Sequence, residues 1–193
     1  MPLGKEGRDQ RKMEKVKGKI FELLSGFLPI KEFENWLYSD TYILEALPDN
    51  ELVVELMCIN LKSVHALHEI EKYCARHFNI EKRIVAIVEL NCKKFLESKN
   101  LRSAETLIFN IQMYDEWEDK YHLIHQLNWF RYDLDQLLEG LFTKLEFTKW
   151  ETKFINELTA FCMKVLDEIH DATPDKRNQI LIEGLKTKSN STL

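Results

Sequence analysis

Asp115, Glu118, His122 and His125 are the residues whose types and spacing come nearest to chemistry in this chain. On one unbroken helix they fall within about 80° of one another, a line of oxygen and nitrogen donors like half of a carboxylate-bridged metal site. They lie away from the Leu123, Leu127 and Phe130 stripe, however, so that line points to solvent. Metal-binding bundles aim their ligands inward and use a Glu-x-x-His pair, and Glu118 and His122 are one residue too far apart for that. A second set, His65, His68, Cys74 and His77, contains acceptable zinc ligands. The nine-residue step from His65 to Cys74 puts the two pairs about 180° apart on a helix, so they cannot close one tetrahedron. No metal and no cofactor is expected, and a metal protein or helical enzyme using Glu118, His122 and His125 is the alternative reading.

Other catalytic constellations are missing from the sequence. There is no GxSxG elbow and no glycine-rich phosphate loop, for no glycine occurs between Gly26 and Gly140. None of the seven arginines is followed four to six residues later by a histidine, which argues against all-α ribonucleases of the HEPN type. The expectation is a protein that is not an enzyme.

One segment looks like a contact surface. In MYDEWEDKYH, residues 113–122, Tyr114, Trp117 and Tyr121 alternate with Asp115, Glu116, Glu118 and Asp119 at a helix junction. Aromatic anchors ringed by charge are what binding hot spots look like, and negative charge speeds encounter with a basic target. Asp133, Asp135 and Glu139 add acids along the polar side of the next helix.

The elements that must hold these residues are helices. No proline separates Pro48 from Pro174, and β-hairpins need turn glycines far more often than this chain supplies them. Leu123, Leu127, Phe130, Leu134, Leu137 and Leu141 recur at alternating steps of four and three. Phe147, Trp150, Phe154, Leu158, Phe161, Val165 and Ile169 repeat the pattern, as do Ile80, Ile84, Ile87, Val88 and Phe95. Helices are predicted at 9–24, 30–38, 40–47, 49–60, 63–78, 80–98, 103–116, 119–143, 147–170 and 174–186, with Ser63 and Ser103 as caps. The texture changes near Leu61, from short helices broken by Pro29 and Pro48 to long regular ones. The fold expected is all-α, with a small N-terminal helical subdomain (1–61) packed on a C-terminal antiparallel helical bundle (62–186) and a frayed tail (187–193).

Composition bounds the partners. The chain has 193 residues, 45% hydrophobic and 31% charged, with a formal net charge of -5. That balance fits a globular protein and disfavours nucleic acid, which needs clustered Lys and Arg. No apolar run is long enough for a membrane span, and the polar start MPLGKEGRDQRKMEK is unlike a signal peptide, so the expected location is cytoplasmic. Cys58, Cys74, Cys92 and Cys162 are scattered among apolar positions and read as buried thiols.

A third cluster of aromatics opens the chain's N-terminal part. In KEFENWLYSD, residues 31–40, Phe33, Trp36 and Leu37 share one helix face and form a structural anchor, while Tyr38 is turned toward Tyr42 and Ile43. With its flanks, residues 21–61 carry an FxxWxY pattern at Phe33, Trp36 and Tyr38, LExxL at Leu44, Glu45 and Leu47, and a third element at Glu55, Leu56 and Met57. This stretch resembles the N-terminal portion of small helical bacterial immunity proteins of polymorphic toxin systems. The resemblance covers about a fifth of the chain; Leu52 or Val53 stands where the family has an aromatic, and nothing after Leu61 matches. It implies a protein that binds and blocks a cognate toxin domain without catalysis. A monomer or a homodimer is compatible with the sequence, and an oligomeric scaffold or adaptor is the remaining alternative.

Overall fold

A computed structural model describes residues 5–46, 50–114, 120–140 and 142–185. The chain is all-α: the described residues form ten helices and no strand. It divides into two units between Arg83 and Ile84, not after Leu61 as the change of texture suggested. The reason is that the helices on either side of Leu61 share one core.

The first unit contains α1 (Lys5–Leu24), α2 (Ile30–Ser39), α3 (Thr41–Ala46), α4 (Glu51–Met57) and α5 (Ala66–His77). α1 ends where Gly26 takes φ +70°. Gly26 N–H then donates to Leu23 O and Phe27 N–H to Glu22 O, the paired bonds of a Schellman stop. Pro29 and a following turn start α2 at once. Phe33 and Leu37 are fully buried, each contributing about 1.5–3 kcal/mol relative to exposure. Trp36 completes the expected anchor only in part: it is half-buried, its ring lies 5.6 Å from that of Phe33, and its indole N–H donates to Asp40 Oδ2. Tyr38 is exposed. Leu47 of the family-like pattern lies outside the described residues.

α4 and α5 are tied by polar contacts as well as by core. Tyr73 is buried and its hydroxyl donates to Leu52 O at 3.0 Å, while Arg76 and His77 both pair with Glu55. His77 foremost, then Arg76, holds the Glu55 carboxyl below its usual range. Removing α5 at a boundary near residue 61 would strip these partners from α4. Ser63 does not cap α5; its hydroxyl accepts from His65 N–H in a turn, and the helix begins at Ala66.

The second unit holds α6 (Ile80–Ser98) beyond its first turn, α7 (Leu101–Gln112), α8 (His122–Leu138), α9 (Lys144–His170) and α10 (Pro174–Glu183). α8 packs against α7, α9 and α10. Its Leu123, Leu127, Leu134 and Leu137 are buried as the period of four and three requires, and Phe130 meets Phe154 and Phe161 of α9 edge-on. Leu141 lies outside the described residues. Asn91 of α6 and Asn110 of α7 are buried together, Asn110 Nδ2 donating to Asn91 Oδ1 at 2.7 Å.

Two capping boxes set helix starts that apolar spacing alone misplaced. Asn100 caps α7, with Ser103 as its reciprocal partner three residues on, so Ser103 is inside the helix rather than its cap. Thr143 and Glu146 do the same for α9, which therefore starts at Lys144 and not at Phe147. Gln126 fixes the end of α10: its Nε2 donates to Leu185 O at 3.0 Å and its Oε1 accepts from Leu185 N–H at 2.8 Å. Gly184, at φ +71°, lets the chain pass so close that a Cβ there would sit 2.7 Å from Gln126 Oε1.

Candidate functional site

Of the proposed contact segment, the structure describes both tyrosines and shows them buried. Tyr121 is 0% exposed and Tyr114 only 5% exposed, so both are part of the core of the second unit. Tyr121 is the N-cap of α8, with Lys120 Nζ 4.8 Å from its ring centroid. Asp115, Glu116, Trp117, Glu118 and Asp119 lie outside the described residues.

Tyr121 also undoes the premise of the metal line. α7 ends at Gln112, and Tyr121 is extended at φ -120° and ψ 96°, so helical phase does not carry from His122 back to Glu118 or Asp115. On α8 itself His122 and His125 stand with rings 6.1 Å apart, and His125 Nε2 accepts from Trp129 Nε1–H at 3.0 Å. That nitrogen already has a partner. Among the described residues, no group of three His, Cys, Asp or Glu side chains could hold a metal ion. The other set separates as helical phase requires: Cys74 is buried, His68 is exposed beside Glu71, and His77 belongs to Glu55.

What α8 presents outward is aromatic. His125, Trp129, Tyr132 and Gln136 follow one another at steps of four, three and four, a second stripe on the side opposite the leucines. Trp129 is 70% exposed and Tyr132 69% exposed. With Asn128, Phe130 and Asp133 they line an open groove of about 530 Å³. Asp133 also edges a smaller groove of about 240 Å³, shared with Phe142, Trp150, Lys153 and Glu157. In that second groove the charges are met internally: Lys153 Nζ sits 4.9 Å from the Trp150 ring centroid and 3.9 Å from Glu157. In the first groove they are not. The side chains of Tyr132 and Asp133 take part in no hydrogen bond, ion pair or ring contact with the described residues.

No known protein family, characterised protein or solved structure matches this chain.

Its function must therefore be read from this surface. Sequence reasoning had the acids of α8 in view but placed its aromatic partners in the preceding loop. The signal was present in the second stripe: an amphipathic surface helix is expected to carry polar residues opposite its leucines, and here it carries a tryptophan and a tyrosine one turn apart. Among the described residues, no helix is long and apolar enough to cross a membrane.

Proposed function

We propose that this chain is a non-catalytic binding protein of the immunity type, which neutralises a cognate bacterial toxin domain in the cytoplasm by direct contact. The observation that carries this reading is the uncovered pair Trp129 and Tyr132 beside Asp133 on α8. Large aromatics standing free in water are unfavourable for an isolated fold and favourable as anchors in an interface. The acids Asp133, Asp135 and Glu139 around them suit a basic target, as does the net charge of -5. The FxxWxY and LExxL resemblance over residues 21–61 supports the choice of a toxin as that target.

The contact surface in this reading is α8, since Tyr114 and Tyr121 are buried. Co-expression tests it. The C-terminal domain of a candidate toxin, sought among the products of neighbouring genes, is produced with and without the chain, and growth is followed. Rescue by wild type, lost or weakened in the double variant Trp129→Ala and Tyr132→Ala, is expected. Absence of rescue and of a complex between the purified proteins would overturn the reading.

A further inference from the structure

Resting on that binding reading, we infer that the groove on α8 is a receptor for an arginine side chain of the partner, its guanidinium stacked on Trp129 or Tyr132 and paired with Asp133. The three residues occupy positions i, i+3 and i+4 of one helix and so stand on one face. Two line the groove as exposed aromatic rings and the third as an exposed carboxylate.

α9 shows the same arrangement already filled. There Trp150 is followed at i+3 by Lys153, whose ammonium lies over the indole, and at i+7 by Glu157, which takes its charge. On α8 the position three residues after the tryptophan is Tyr132 instead of a cation, so a ring and a carboxylate are left to receive one from outside. The neighbouring cation does not fill the place, because Arg131 is directed to Asp135, 3.7 Å away.

The chemistry favours arginine over lysine. A guanidinium is planar, stacks on aromatic faces, is weakly hydrated and meets a carboxylate with two parallel N–H donors, whereas an ammonium is a strongly hydrated point charge. The His125 bond draws the indole N–H edge toward the preceding turn, so Trp129 has no N–H left to offer a partner and must bind through its face.

The test uses the full chain and two defined probes, an acetylated hexa-arginine amide and its hexa-lysine counterpart, with binding followed by calorimetry at low salt. Wild type should bind the arginine peptide more tightly than the lysine peptide. Trp129→Ala and Asp133→Asn should each weaken the arginine peptide by roughly threefold to fivefold, the size of an exposed cation–aromatic contact. Asp167→Asn, an exposed acid elsewhere on α9, should leave it unchanged. Equal binding of the two peptides, or equal losses in all three variants, would overturn the inference, as would a dimer of the chain that Trp129→Ala dissolves. Toxin binding that ignores both Trp129→Ala and Asp133→Asn would defeat the arginine site and leave the immunity reading standing. A selective arginine response without any toxin complex would do the reverse.

Discussion

Trp129 and His125, one turn apart on α8, are joined by an indole N–H bonded to Nε2 of the imidazole at 3.0 Å. The bond requires a neutral imidazole whose proton sits on Nδ1, because a doubly protonated ring has no acceptor left. It also holds an exposed tryptophan in one rotamer, which lowers the entropy lost when a partner lands on it.

The first prediction follows from that bond. His125→Ala removes the acceptor, so the emission of Trp129, taken as the difference between each background and its Trp129→Phe derivative, should differ from that in wild type. Identical Trp129 emission in the two backgrounds would show that the bond does not govern the indole.

Gly184 is bound by two constraints, a left-handed φ of +71° and the close pass by Gln126. Gly184→Ala should cost about 1–3 kcal/mol in urea unfolding, the usual range for a backbone region reserved to glycine. Gly26→Ala, with φ +70° but open space around its Cβ, should cost less. Equal losses at the two sites would mean that the Gln126 contact with Leu185 yields freely.

Asp40 gathers Lys15 Nζ at 2.7 Å, Trp36 Nε1–H at 3.2 Å and Tyr42 N–H at 3.1 Å. The Lys15 bond, opposed by burial, holds its carboxyl below the usual carboxylate range. A depressed folded value gives stabilisation that is complete above the unfolded pKa of about 3.9 and disappears as pH falls through the folded value. Asp40→Asn should therefore destabilise the protein by about 1 kcal/mol at neutral pH. Thermal melts of wild type and variant should converge in strong acid, and a constant gap down to that acidity would exclude the charged contact.

The cysteines divide into one accessible and three hidden thiols. Cys58 was expected to be buried with the others, but it caps the C-terminus of α4, past the last buried turn, and is exposed. Burial pushes the Cys74 thiol up to about 12, and a hydrogen bond that Cys92 donates to Cys162, together with burial, raises that of Cys92. A thiol-specific reagent should modify Cys58 alone in the native chain and all four after unfolding, as counted by intact mass. Fast native labelling of a second cysteine would contradict the packing of the core.

Much of this architecture was legible because burial in helices repeats with a fixed period. Ile80 to Ser98 is helical over the residues that its apolar spacing marked, and the leucines of α8 are buried where phase put them. Starts were less legible, since they depend on single side-chain oxygens. Thr143 with Glu146 and Asn100 with Ser103 each carry the reciprocal capping pattern, and hydrophobic spacing is blind to it. The site was harder still. Tyr121 and Tyr132 are the same residue type on or beside one helix, and only the packing of α7, α9 and α10 around α8 buries the first and leaves the second in water. The unit boundary moved for a similar reason, because Tyr73, Arg76 and His77 bind back to α4 across the break that composition marked.

The most direct measurement is isothermal titration of the purified chain with the C-terminal domain of a candidate toxin sought among the products of neighbouring genes. A binding protein of the immunity type predicts a stoichiometric complex with nanomolar affinity or better, and about tenfold or greater weakening when a central anchor such as Trp129 is changed to alanine. No heat of binding with a folded toxin domain, and no protection of cells producing it, would contradict it.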